Sequence, residues 1–277
     1  MRMMRLFRGL APLVMVVGLT FSGCQDGKFN AFSLDDDRKL GRDLSAQIDN
    51  DPQQYPVVPR EGVWVPVYEG LERVRDQIKQ SGQLKHADDF EWKVYVIDQE
   101  TLNAFCAPGG YIYFYTGLLK YLDSWDQVAG VMGHEMAHAD MRHSTSQLTK
   151  RYGMDLLVQV VLGLSNAYLP GMAADLAGVA VQGGNALAAL KFSRNDESEA
   201  DACSVSYLYH TEYDARGVAG FFEKMESEGS GQPPEFMSTH PSHEHRIDDI
   251  HKKWKDLGGK EGMTFAAEYQ VYKNNIP

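Results

Sequence analysis

Cysteine is scarce, three in 277 residues, which excludes a disulfide-stapled scaffold. Basic residues are in deficit. Lys and Arg number 27 against 38 Asp and Glu, a formal net charge of −11. A surface of that sign repels phosphate backbones and argues against a nucleic-acid partner; its plain meaning is solubility. Long apolar runs are missing too. About nineteen uncharged residues lie between Asp155 and Asp175, but Gln159, Asn166 and Pro170 interrupt them, so they do not read as a membrane span. Buried helices, or helices lying on a membrane surface, both fit. No internal repeat and no low-complexity tract is present. What remains is a chain with 43% apolar residues, ordinary for a packed core. Its length suits one compact domain with terminal extensions, or two small domains.

The N-terminus reads as a targeting signal. Arg2, Arg5 and Arg8 form a basic start, Leu10 to Phe21 an apolar segment too short to span, and Ser22-Gly23 precede Cys24. The pattern resembles a bacterial lipoprotein signal, with Phe21 where Leu is usual. Residues 1–23 are then expected to be removed and Cys24 to carry lipid, leaving 24 basic against 38 acidic side chains. In bacterial lipoproteins an Asp directly after the lipidated Cys retains the protein at the inner membrane. Gln25 stands there, which points to the periplasmic side of the outer membrane. Cys106 and Cys203 are left in an oxidising compartment, either paired or as two buried thiols.

Residues 24–33 read as a tether and 34–277 as one domain. Leu34, Leu40, Leu44 and Ile48 recur at helical spacing over 34–49, a Pro- and Asp-rich loop spans 50–66, and a helix is expected over 67–80. Residues 91–97 alternate as a strand. Residues 111–115 form another, introduced by the turn Pro108-Gly109-Gly110. A helix begins near Trp125, with Ser124 and Gln127 composing a capping box. A further helix is expected over about 196–210, then a helical hairpin, then His240-Pro241.

The chemistry concentrates in His134-Glu135-Met136-Ala137-His138. On a helix, histidines four apart project from one face and can reach one metal ion; the Glu beside them can take a proton from water. Zinc requires a third protein ligand. His143, five beyond His138, would lie on another face of a continuing helix. Glu197 is the better candidate, and Asp201, four residues on, could accept the ring N–H of a zinc-bound His and fix its tautomer. The plainer reading of 196–201 is a solvated acidic helix start. The strand at Gly110, Tyr111, Ile112 and Tyr113 either adds an extended substrate to its edge or packs as an ordinary aromatic strand. His243, His245 and His251 read as surface residues rather than a second metal site.

Several segments occur in an order that resembles the M48 family of zinc metallopeptidases, and within it the periplasmic lipoprotein branch of BepA- and LoiP-like proteases. They are Asn103-Ala104-Phe105 with Pro108-Gly109-Gly110, Thr116-Gly117-Leu118-Leu119, the HEMAH segment, SRNDESEAD from Ser193, and Thr239-His240-Pro241 with Arg246-Ile247. They cover roughly residues 90–250; Cys106 departs from the pattern. The resemblance implies an α+β fold, mostly helical and zincin-type, with a small β-sheet beside the HExxH helix. It implies one Zn2+ per chain held by His134, His138 and Glu197, with Glu135 as general base. It points to His240 as a group that approaches the metal, either to stabilise the oxyanion or to cover the zinc at rest; a plain helix-start His is the alternative. It further implies an endopeptidase acting on unfolded or misassembled envelope polypeptides. A chaperone or assembly factor for outer-membrane proteins, its protease largely latent and engaged with the assembly machinery, is the second reading; another zinc hydrolase such as an amidase is the third.

Overall fold

The computed structural model describes residues 24–25, 28–150, 191–229, 235–241 and 245–277. The expected signal 1–23, the apolar stretch 154–190 and His243 lie outside them. Cys24–Gln25 (β1) pair antiparallel with Lys28–Phe29 (β2). The second half of the expected tether is docked. Asn30 donates to Thr145 Oγ1 (3.0 Å), the Ala31 amide donates to Thr149 Oγ1 (3.1 Å), and Arg142 donates to the Phe32 carbonyl.

Helix α1 (Leu34–Asp49) starts at a capping box in which Ser33 and Asp36 satisfy each other's backbone N–H. Helix α2 (Val65–Gln80) buries Val67, Leu71, Val74 and Ile78 along one stripe. The sheet has the order β3 (Lys93–Ile97), β5 (Tyr111–Tyr115), β4 (Ala104–Ala107). Strand β3 runs parallel to β5 and β4 antiparallel to it. Alternation sorts the side chains. Val94, Val96, Cys106, Ile112 and Phe114 join the main core, while Phe105, Ala107, Tyr111, Tyr113 and Tyr115 face the layer beneath α1. There Tyr113 donates its hydroxyl to Ser45 (3.0 Å).

After α3 (Thr116–Tyr121) comes α4 (Trp125–Asp140), buried along almost its whole length. Such a helix is buried on every side because it forms the centre of the molecule, and its polar residues, His134, Glu135 and His138 among them, are buried with it. Against it pack α5 (Arg194–Tyr209) and α6 (Gly217–Glu228), followed by α7 (Glu235–Thr239), α8 (Arg246–Asp256) and α9 (Ala266–Lys273). Glycine permits the closest approaches. A Cβ on Gly130 would lie 2.1 Å from Val218 N, and one on Gly133 2.7 Å from Ser204 Oγ. Ser204 uses the proximity to donate to the Gly130 carbonyl at 2.9 Å.

Two local expectations fail. Ser124 precedes α4 but does not cap it, because its hydroxyl donates to the Asp126 carboxylate, a stronger acceptor close by. Gln127 instead accepts from the Asp123 amide at 2.8 Å. The stretch 50–66 is not all loop, since Gly62–Trp64 form a 3-10 turn leading into α2.

Candidate metal centre

Helix α4 presents His134 and His138 one turn apart, with their Nε2 atoms 3.0 Å from each other. The capping box of Ser193 and Asp196 starts α5 so that Glu197 falls in its first turn. The Glu197 carboxylate meets both rings, Oε2 at 3.4 Å from His134 Nε2 and Oε1 at 3.4 Å from His138 Nε2. His240, directly after α7, brings Nδ1 to 3.2 Å from His134 Nε2 and 3.1 Å from Glu197 Oε1. All four residues are buried, and one donor atom from each lies within 4.8 Å of the others.

This donor set fits zinc. Imidazole and carboxylate are its habitual ligands, and tetrahedral arms of about 2.0–2.1 Å put ligand atoms roughly 3.3 Å apart, close to the separations above. The outer ring nitrogen of His134 is fixed as well. Its Nδ1–H donates to Asp201 Oδ1 at 2.8 Å, which leaves Nε2 to the cluster. Arg246 grips Asp201 with Nε and Nη2 (2.7 and 2.9 Å), and Nη2 also donates to Glu197 at 3.0 Å.

The charges are strongly polarised. Burial pushes the Glu197 carboxyl up, but His240, His134 and His138 outweigh it and hold the group far below the usual carboxylate range. Burial likewise opposes ionisation of Asp201, yet Arg246 and His134 hold it down at about 2. His134 is desolvated, but Asp201 and Glu197 raise it to about 9. In His138 desolvation wins over Glu197, and the ring is kept well below the ordinary histidine value. A cation entering here displaces a proton from His134 and finds His138 already neutral.

Glu135 points into the same space. Burial raises its pKa against the pull of His240 and His134, and the Cys106 backbone N–H holds the carboxylate. Its Oε1 lies 3.3 Å from His240 Nε2, and among the described residues no group hydrogen-bonds that oxygen.

The residues singled out at β5 do not join the site. Gly110 has φ 89°, and a Cβ there would lie 2.8 Å from Trp92 N, so it serves the turn. Tyr111, Ile112 and Tyr113 are buried in the central strand, hydrogen-bonded on both sides, with no edge to offer a peptide. The sheet's two edges are β3 and β4, and β4 is the one that packs on α4. Asn103 O and Ala107 O accept from Tyr115 N and Gly110 N, so by antiparallel alternation Ala104 and Cys106 turn their backbone groups outward. Cys106 and Cys203 are both free thiols. His245 is exposed and His251 partly so, outside the cluster.

The sequence assigns no role at the site to three further contributors. Phe192 stacks on His138 (3.9 Å between ring centroids, 28°), Phe236 stacks on His240 (4.5 Å, 22°), and Arg246 braces both acids. His143 also reaches the site, because α4 ends at Asp140 and Arg142 turns left-handed (φ 58°), folding the chain back. The helix end, not the spacing, decides where His143 points.

The sequence profile of peptidase family M48 matches residues 69–253, more than half of the chain. Among curated relatives, the metalloendopeptidase OMA1 of Danio rerio mitochondria is 34% identical over 189 residues, covering 66% of this chain and 40% of the relative. The mitochondrial metalloendopeptidase OMA1 of Arabidopsis thaliana is 33% identical over 157 residues, 57% and 30% of the two chains. The beta-barrel assembly-enhancing protease of Escherichia coli (strain K12) is 29% identical over 165 residues, 57% and 34%. The chain therefore spans well under half the length of these relatives.

Proposed function

Because the chain belongs to peptidase family M48, we propose that it is a zinc-dependent endopeptidase that hydrolyses peptide bonds of unfolded or misassembled envelope polypeptides. The observation that carries this reading is the convergence of His134, His138 and Glu197 on one buried point, with Glu135 Oε1, which no described residue hydrogen-bonds, beside it. In this reading His134, His138 and Glu197 hold one Zn2+ per chain. Zinc, when bound there, supplies a Lewis acid that makes water more acidic and polarises the scissile carbonyl.

The remaining steps belong to the chain. Glu135 Oε1 takes the proton of the attacking water and returns it to the leaving amine; a raised carboxyl pKa suits a group that does both near neutrality. Asp201 and Arg246 keep His134 in one tautomer and orientation. An extended substrate pairs with the outward backbone groups of Ala104 and the Cys106 carbonyl on β4, beside Glu135, whose carboxylate the Cys106 amide already holds. His240 lies among Glu135, Glu197 and His134, which supports the reading in which it covers the site at rest and withdraws for catalysis, over the one in which it stays to stabilise the oxyanion.

That cover favours a second reading: a largely latent protease that acts as a periplasmic chaperone or assembly factor for outer-membrane proteins. The name of the Escherichia coli relative, a beta-barrel assembly-enhancing protease, supports the envelope setting for both. Lipid on Cys24 would anchor the chain to the outer membrane's periplasmic face. The test is metal content and casein cleavage by a soluble form beginning after Cys24. Wild type is expected to hold one zinc and cleave; Glu197→Ala loses both. Glu135→Gln keeps zinc and loses at least about 100-fold in rate. Full activity of Glu135→Gln would sink the mechanism. Zinc without cleavage in wild type, relieved by His240→Ala, would favour the latent reading.

A further inference from the structure

His138 offers Nε2 to the donor cluster, and its other ring nitrogen, Nδ1, lies 3.0 Å from Nδ1 of His143. Two imidazole nitrogens this close hold one proton between them. Two N–H groups would collide, and two lone pairs would repel. A metal on Nε2 of His138 takes that lone pair, so the ring proton sits on Nδ1 and donates to His143 Nδ1. His143 then carries its own proton on Nε2. That atom faces Glu199 Oε2 at 3.4 Å and Asp196 Oδ1 at 3.9 Å. The His143 ring is fully buried, so water does not substitute for these partners.

We propose that His143 is the positioning residue for His138, fixing its tautomer and ring plane through an outward chain from His138 to His143 to Glu199. The inference rests on reading His138 as a metal ligand. It gives the second metal-binding imidazole a support equivalent to Asp201 behind the first, with a neutral ring where the other has a carboxylate.

The same proton count decides a competing possibility. Donor atoms of His143, Asp196 and Glu199 lie within 4.8 Å of one another, close enough to hold a metal of their own. A cation on His143 Nε2 would drive its proton onto Nδ1, against the Nδ1–H of a metal-bound His138. The two sites exclude each other, and the chain holds one zinc.

The experiment measures zinc affinity by chelator competition, together with unfolding of the metal-free protein, for the full chain. His143→Leu fills the space without an acceptor and is expected to weaken zinc binding 10- to 100-fold, with the metal-free protein still unfolding cooperatively. His143→Asn puts an oxygen near the position of Nδ1 and is expected to recover most of the loss. Wild type binding one zinc, with His143→Leu binding as tightly, overturns the proposal and leaves the ligand reading intact. So does an Asn variant as weak as Leu, or a second tight zinc in wild type. A wild type without zinc overturns the ligand reading and the proposal with it. Should His143→Leu fail to fold, Glu199→Leu at the outer end of the chain decides: a several-fold loss of affinity supports the proposal, and wild-type affinity overturns it.

Discussion

Asp126 lies in the first turn of α4, where the helix dipole favours a negative charge by about 0.3–1 kcal/mol. Burial opposes it and wins, with Asp214 adding repulsion and the Ser124 hydroxyl pulling the other way, so the carboxyl is pushed up to about 6. The native state then binds more protons than the unfolded chain between the ordinary value of 3.8 and about 6. Stability from this residue is therefore greatest below 3.8 and falls as pH rises through 6, by up to about 3 kcal/mol. Asp126→Asn keeps an acceptor for Ser124 and removes the titration. Its midpoint difference from wild type is expected to move in favour of the variant between pH 4 and pH 7. A difference independent of pH would contradict the assignment. Other carboxylates act with the opposite sign, Asp196 and Asp201 both held down at about 2, and they cancel in this comparison.

At the scale of elements, the helices that build the site were legible to differing degrees. Leu34, Leu40, Leu44 and Ile48 announced α1, and the HExxH spacing placed both histidines on α4, because both patterns are local and repeat at 3.6 residues. Strand β4 is not legible in the sequence: four residues buried on both faces carry no alternation to read. Of the two readings of β5, a substrate edge and an ordinary packed aromatic strand, its central place favours the second; the sequence does not decide between them because sheet order is set by partners distant in the chain. The start of α5 carried a clear signal in Ser193 with Asp196 three residues on, a capping box that sets Glu197 in the first turn. Ser193→Ala is expected to cost about 1 kcal/mol in unfolding free energy. Because Ser193 holds Asp196 rather than Glu197, zinc affinity should change by only a few-fold. A variant as stable as wild type would show that the tertiary contacts of α5 fix its start unaided.

Across the whole molecule, the candidate site ties together segments that are far apart in the chain. His134 and His138 come from α4, Glu197 and Asp201 from α5, His240 follows α7, and Arg246 opens α8. The sequence named the first four because residues four apart on one helix share a face. It could not show that Arg246 crosses to both acids, or that Phe192 and Phe236 wall the histidines, since no spacing connects them. Such a cluster forms only in the folded chain, so a metal bound there acts on the native state alone. It stabilises by RT ln(1 + [metal]/Kd), about 4 kcal/mol when free zinc is 1,000 times Kd. Stripping the metal with a chelator should lower the unfolding midpoint by several degrees, reversibly on adding zinc back. Arg246 still bridges Glu197 and Asp201 without metal, so the stripped protein should unfold cooperatively rather than collapse. In Glu197→Ala the chelator should have no effect. A wild-type midpoint indifferent to both chelator and zinc would mean that the four buried donors are held together by their own hydrogen bonds and that no metal resides among them.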